Sequence, residues 1–221
     1  MASQGSNVDL LIVGAGPAGL MAACCAAQYS MSTRIIDEKE TRTQTGHGDG
    51  FQTRTLEILD SFGLAEDILK QSTPESESSY WMAEKKPGNI QRVKTEKSNS
   101  GQDSRFTKAL LNQGATEQVL LDYLEQKQNV HVERSKQAKT LDFKDLSAKI
   151  SFPVSVGIRR LTVDGSDASN QLEVINARYV VACDGAHSWT RDQLGVSTEG
   201  DSKGSTWGIF DIVPITDFRM L

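Results

Sequence analysis

The sequence predicts an α/β fold of Rossmann-like type, on three observations: an apolar run that ends in a glycine-rich turn, an alanine-rich helical stretch after it, and a second strand that closes on an acid. Val8, Leu10, Leu11, Ile12 and Val13 form a short apolar run of the kind buried on both faces of a parallel sheet. The turn Gly14, Ala15, Gly16, Pro17, Ala18, Gly19 follows at once. Residues 20–29, rich in Ala and Met, suit a helix packed closely on that sheet, and residues 33–37 read as a second strand ending in Asp37, with Glu38 beside it.

Each position of the turn has a physical reason. Gly14 permits the tight bend, Gly16 lets the backbone approach a diphosphate, and Gly19 lets the helix lie against the strand. The free N–H groups and the dipole at the helix N-terminus then attract phosphate. A carboxylate at Asp37 can accept both hydroxyls of an adenosine ribose, which favours FAD or NAD over a ribose carrying a 2′-phosphate.

Further along, residues 41–50 are a polar, glycine-bearing loop, and residues 53–62 carry Leu56, Leu59 and Phe62 at helical spacing before Gly63. From Ser72 to Arg105 the composition turns polar, with a hairpin expected about Pro87 and Gly88. Residues 110–126 return to a helical pattern with Val119, Leu120, Tyr123 and Leu124 on one side. Short β-like runs then come in series at 130–132, 139–143, 148–152, 157–163 and 172–175, a meander with no further crossover. A last buried strand, 179–184, ends in Asp184 and is followed by Gly185 and a helix start. The sequence shows no internal repeat.

Composition excludes several classes. The 221 residues carry a net charge of −5, which argues against nucleic acid as a main partner, since backbone binding needs a clustered positive surface. No apolar run approaches the roughly 20 residues that span a bilayer, and the polar lead lacks a secretory pattern, so a cytoplasmic location is expected with no membrane partner. Three cysteines, two of them adjacent at Cys24 and Cys25, suggest neither a disulfide framework nor a metal site. They are expected to be reduced and buried.

Four motifs in order resemble a known family. They are Val13 to Ala22, Gly48 to Leu59 (with Asp49, Gln52 and Arg54), Leu110 to Gln113, and Cys183 to Arg191. Together they resemble the p-hydroxybenzoate hydroxylase group of FAD-dependent aromatic-ring monooxygenases, and within it the phenol 2-monooxygenases. The resemblance implies FAD across the first motif, NADPH or NADH as a transient reductant, a small aromatic substrate and O2, and a homodimer for the full-length relatives. It implies a Rossmann-like FAD-binding fold of that type, with a β-meander and the start of a β-sheet substrate domain. The boundaries expected are 1–74 for the FAD-binding βαβ core, 75–107 for an excursion toward the substrate domain, 108–195 for the rest of the FAD-binding domain, and 196–221 for a truncated start of the substrate domain.

Carried onto this chain, Asp37 resembles the ribose-binding acid, and Gln52, Arg54 and Gln113 resemble residues lining the ribityl and phosphate chain. Asp184 and Gly185 resemble the motif that serves FAD and the nicotinamide nucleotide together. His187 and Arg191 fall one helical turn apart beyond it and could face a diphosphate from the same side; the plain alternative is an ordinary helix surface. For Arg54 the alternative is an exposed partner to Glu57. Asp49 resembles the acid that helps form the reactive phenolate, a general-base role commonly worth about 10² to 10⁴ in rate; the alternative is a turn-shaping Asp between two glycines.

In a complete relative, NAD(P)H reduces the flavin, O2 reacts with it, and one oxygen atom passes to the ring ortho to a hydroxyl. This chain departs from the pattern after Asp184, where no second flavin motif follows and the strand at 208–214 opens a sheet it does not finish. Ala115, Thr116 and Gln118 also stand where relatives carry basic or apolar residues. Two readings are therefore set side by side: an oxygenase lineage whose isolated chain is inactive, and a non-catalytic FAD- or nucleotide-binding module. A simple NAD-dependent dehydrogenase is disfavoured because no crossover series after Asp37 rebuilds a doubly wound sheet.

Overall fold

Apolar side chains on both faces of the first strand decide the architecture. The structure, a computed structural model, describes residues 5–44, 48–75, 77–83, 89–97, 104–144, 149–162, 165, 172–201 and 204. Its elements run β1 (Ser6–Val13), α1 (Pro17–Gln28), β2 (Thr33–Ile36), β3 (Gly50–Phe51), α2 (Thr53–Ser61), α3 (Ala65–Gln71), β4 (Thr73–Pro74), β5 (Glu77–Ala83) and β6 (Ile90–Lys97). They continue as β7 (Ala109–Leu110), α4 (Gln113–Glu125), β8 (Val130–Glu133), β9 (Lys136–Phe143), β10 (Val154–Arg160), β11 (Glu173–Ala182) and α5 (Trp189–Gln193).

The main sheet has the order β8-β2-β1-β11-β10-β9. Strands β8, β2, β1 and β11 are mutually parallel, while β10 pairs antiparallel with β11 and β9 antiparallel with β10. On one face Leu10, Ile12 and Ile35 pack with Leu20 and Cys24 of α1, Leu56 of α2, Ile68 of α3 and Leu120 of α4. On the other, Leu11, Val13 and Ile36 meet Ala138 of β9, Val156 and Ile158 of β10, and Ile175 of β11. Full burial of each large side chain contributes about 1.5–3 kcal/mol, so β1 is covered because both of its faces are apolar. Within this strand the N–H groups of Asp9 and Leu10 both donate to Ser32 O, at 2.9 and 3.1 Å.

Several expectations are corrected. Residues 130–132 are not the first strand of a meander, because β8 pairs parallel to β2 and completes a crossover through α4, which packs on α1. The long polar excursion between β2 and α4 hides that crossover in the sequence. The runs at 172–175 and 179–184 belong to one strand, β11, which ends at Ala182 and lies between β1 and β10, so that Asp184 follows the strand instead of closing it. Its polar interruption is satisfied in place: Asn176 Oδ1 accepts from Lys144 Nζ at 3.0 Å and Ser155 Oγ at 2.7 Å. Residues 149–152 lie outside any strand, and the next strand begins at Val154. The helix expected from 110 starts at Gln113, because Asn112 caps it by accepting the Gly114 N–H at 2.8 Å, and residues 109–110 form β7 instead. Helix α3 and the small sheet β3-β7-β4 were not foreseen.

Other expectations hold. Helix α2 ends before Gly63, whose φ of +75° is the left-handed stop that glycine adopts. Strands β5 and β6 pair as an exposed antiparallel hairpin, whose turn lies outside the described residues. His47 and the run 208–214 also lie outside them, and His131 is exposed on β8. The expectation that the cysteines are buried holds for Cys24 alone, whose thiol burial pushes up to about 12; it is corrected for Cys25, which is exposed on the outer side of α1, and for Cys183, which is half-buried. Among the described residues no helix is long and apolar enough to cross a membrane.

Four side chains from four strands lock the sheet together. Arg34 of β2 reaches Glu133 of β8 through Nη2 at 2.8 Å and Glu173 of β11 at 2.6 Å, and Lys136 of β9 reaches Glu173 at 2.7 Å. Burial pushes the Glu133 carboxyl up, but hydrogen bonds from Arg34 and Lys136 outweigh it and hold the group below the usual 4.5. A carboxylate depressed in the fold contributes stability above its unfolded value, and that stability is lost as pH falls through the folded one. R34M is expected to lower the unfolding free energy by about 1–3 kcal/mol at neutral pH. Denaturant melts across pH 3 to 7 should also show a shallower acid loss in E133Q than in wild type; an unchanged acid limb would remove the network from the stability of this fold.

Candidate functional site

A cavity of about 390 Å³ opens where the carboxyl ends of β1, β2 and β11 meet the N-terminus of α1, within the usual 300–1,000 Å³ range of ligand sites. Its floor is backbone. Gly14 has φ +101°, and a Cβ there would lie 2.3 Å from Cys183 O; a Cβ on Gly19 would lie 1.9 Å from Gly14 O. Neither position accepts a side chain, so the helix sits directly on the strand end. Gly16 differs: a Cβ there meets nothing within 4 Å, because it faces open space. Helix α1 begins at Pro17, Gly16 gives it no side-chain cap, and its first turn carries no acid, so its N-terminal donors and positive dipole end are open to an anion.

The structure brings most of the expected residues to this cavity. Gly14, Ala15, Gly16, Pro17 and Ala18 line it together with Asp37, Glu38 and Gln113, and Gly19 lies beneath them. Asp184, Gly185 and His187 line the side formed by the end of β11. Asp37 is fixed by the elbow itself: Oδ2 accepts the Ala15 N–H at 2.6 Å and Oδ1 the Lys39 N–H at 2.8 Å. Asp184 caps the next turn, accepting from Ser188 Oγ at 2.6 Å and from the Thr190 N–H at 2.9 Å. Burial pushes the Asp184 carboxyl up, and these donors outweigh it, holding the group below the ordinary carboxylate range.

Other expected residues stand outside the cavity wall. Asp49 is exposed at the start of β3, anchored by its carbonyl, which accepts the Leu111 N–H at 2.8 Å. Gln52 is exposed as the backbone N-cap of α2. Arg54 is exposed and donates to Glu57 at 3.1 Å, the pairing weighed against a ligand role from the sequence. The expectation that His187 and Arg191 share one helix face is corrected: α5 begins at Trp189, so His187 precedes it. Arg191 turns back to donate to Ala186 O at 2.8 Å.

Sequence reasoning missed Arg134 and Glu117. Arg134 lines the cavity, with Nη1 3.7 Å from Asp37 Oδ2 and Nη2 3.4 Å from Ala15 O. Glu117 is buried in α4 and also lines the cavity, accepting the Thr43 N–H at 2.9 Å. No local pattern marks either, since both look like ordinary charged residues at the end of a strand and along a helix.

A family model described as an FAD binding domain matches residues 7–221. The chain belongs to that family. Among its relatives, a 3-hydroxybenzoate 4-monooxygenase of Comamonas testosteroni is 36% identical over 217 residues, which are 96% of this chain and 33% of that protein. A phenol 2-monooxygenase of Aspergillus fumigatus is 34% identical over 220 residues, 99% of this chain and 34% of that protein. The chain thus spans about a third of the length of these curated relatives. The fold is shared with the flavin-dependent monooxygenase PieE, solved with FAD and substrate, at a TM-score of 0.73 and 21% identity over 90% of this chain and 34% of that one. It is shared also with p-nitrophenol 4-monooxygenase of Pseudomonas putida, at 0.72 and 20% over 89% of this chain and 46% of that one.

The residues present fit FAD. The room above Gly16 and the uncapped α1 N-terminus suit a diphosphate, and Asp37 at the end of β2 suits the adenosine ribose. The two glycines separate packing from ligand room. G19A is expected to cost about 3 kcal/mol in denaturant unfolding, because backbone must move. G16A should unfold within about 0.5 kcal/mol of wild type, since its Cβ meets no protein atom. Equal losses in both variants would contradict this division.

Proposed function

We propose that this chain is the FAD-binding part of a flavoprotein monooxygenase that hydroxylates a phenol-type aromatic ring with NAD(P)H and O2. The observation that carries the proposal is the open space over Gly16 at the uncapped N-terminus of α1, in one cavity with Asp37. Family membership and the names of the aromatic monooxygenase relatives support the reaction class. Bound FAD would supply electron acceptance from the nicotinamide and the activation of O2.

The chain's own residues do the binding and orienting. The α1 N–H groups hold the diphosphate, Asp37 accepts from the adenosine ribose, and Arg134 stands beside Asp37 to balance its charge. Gln113 meets the ribityl chain, and Asp184, Gly185 and His187 form the opposite wall. Gln52, Arg54 and Arg191 are assigned to the outer rim, where the resemblance puts contacts to the same chain. Asp49 is assigned the proton-accepting role toward the substrate hydroxyl: its backbone is held by Leu111 while the residue stays exposed. The exposed β5–β6 hairpin is read as the excursion at 75–107 that belongs with the substrate domain, and 196–221 as that domain's start. A cytoplasmic protein without nucleic-acid or membrane partners, homodimeric at full length, completes the reading.

Purified chain mixed with FAD, passed through a desalting column and scanned across the flavin absorbance bands, should retain the cofactor. D37A should weaken FAD about 10- to 100-fold, through loss of charge-assisted hydrogen bonds of about 1.5–3 kcal/mol. D49N should leave affinity within about two-fold, since its carboxylate lies outside the cavity wall. The isolated chain should not couple NADPH oxidation to a phenol. Retention of NAD in place of flavin would overturn the proposal.

A further inference from the structure

We infer that Glu117 fixes the Gln113 amide as a hydrogen-bond acceptor toward the cavity, so that this wall takes a ligand hydroxyl and not a phosphate oxygen. The inference rests on the FAD reading and narrows it. Glu117 is 1% exposed, an acid on the buried side of α4. Burying a carboxyl group is costly unless its oxygens are satisfied, so the fold that keeps one there spends both oxygens on defined partners. Glu117 Oε2 accepts the Thr43 N–H at 2.9 Å, and Oε1 accepts Gln113 Nε2 at 2.9 Å, one helical turn away.

That second bond decides the orientation of the amide. Both Glu117 oxygens act as acceptors, so Gln113 must turn its NH2 group, and not its carbonyl, toward them. The same Nε2 lies 3.4 Å from Thr43 Oγ1, a partner for its other hydrogen. With both N–H groups engaged, the carbonyl oxygen is what Gln113 can offer a ligand. Thr43 packs directly on the start of α4, its carbonyl only 2.1 Å from where a Cβ on Gly114 would lie. An amide oxygen meeting a phosphate oxygen would set two acceptors face to face; meeting a hydroxyl, it receives a hydrogen bond. In FAD the segment between the diphosphate and the ring is a polyol, and Gln113 shares its cavity with the diphosphate cradle at Gly14, Ala15 and Gly16.

The test compares FAD with ADP, which keeps the adenosine and diphosphate and lacks the polyol, by equilibrium titration on the full chain. In E117Q the new amide can donate as well as accept, so Gln113 is freed to turn over. E117Q and Q113A are each expected to weaken FAD about 5- to 10-fold, the double variant is expected to be no weaker than Q113A alone, and ADP is expected to bind all four proteins alike. Unchanged ADP affinity also shows that the variants are folded. FAD binding by E117Q within about two-fold of wild type overturns the inference alone, and so does a parallel loss of FAD and ADP, which marks a packing role. Failure of the wild type to take up FAD at all overturns the flavin reading and this inference with it.

Discussion

Helix α1 stands so close to the end of β1 that no carbon atom fits between them at Gly19, and this contact governs the site. Because Gly14 O occupies the place of a Cβ on Gly19, the helix axis points its uncapped N-terminus straight at the carboxyl edge of the sheet. Cys183, at the end of β11, closes the other side of Gly14, with its N–H donating to Val13 O at 2.7 Å. The cradle that results is made of backbone, and its selectivity for an anion follows from donors and dipole more than from any side chain.

Such a cradle is only as rigid as the sheet beneath it. The β9–β10–β11 meander buries the face of β1 that the helices leave free, so Leu11 and Val13 are held as firmly as Leu10 and Ile12. Around the rim, Arg34, Glu133, Lys136 and Glu173 tie together β2, β8, β9 and β11. Asp37 then does two things at once: it holds the elbow through the Ala15 N–H and presents a carboxylate to the cavity. An acid that braces the turn is oriented before any ligand arrives, which reduces the ordering cost of binding.

The far wall follows a different logic. There the polarity comes from side chains, and Glu117 sets it by holding both Thr43 and the Gln113 amide. The result is a cavity with donors at the α1 end and an acceptor at the α4 end, matching the order of an anion followed by a hydroxylated chain.

Much of this was legible in the sequence because it is local. The strand, glycine turn, helix and closing acid lie within residues 8–37, and each residue type there answers a constraint set by its immediate neighbours: φ at Gly14, close approach at Gly19, a carboxylate at a strand end. Gln113 and Asp184 could be found by resemblance, and both line the cavity. What the sequence did not reveal depends on partners distant in the chain. The parallel pairing of β8 with β2 was hidden by the long excursion between them, and β11 read as two strands because Asn176 finds its hydrogen bonds in Lys144 and Ser155. For Arg54 the sequence left a ligand role and a pairing with Glu57 side by side, and the fold places it beside Glu57; Glu117 carried no signal in the sequence, and α4 packs it inward against Thr43. Sequence alone determined the anion cradle, because backbone conformation and steric room are properties of a few adjacent residues. Tertiary structure alone decided which polar side chains face the ligand, because burial and hydrogen-bond partners exist only once separate segments meet.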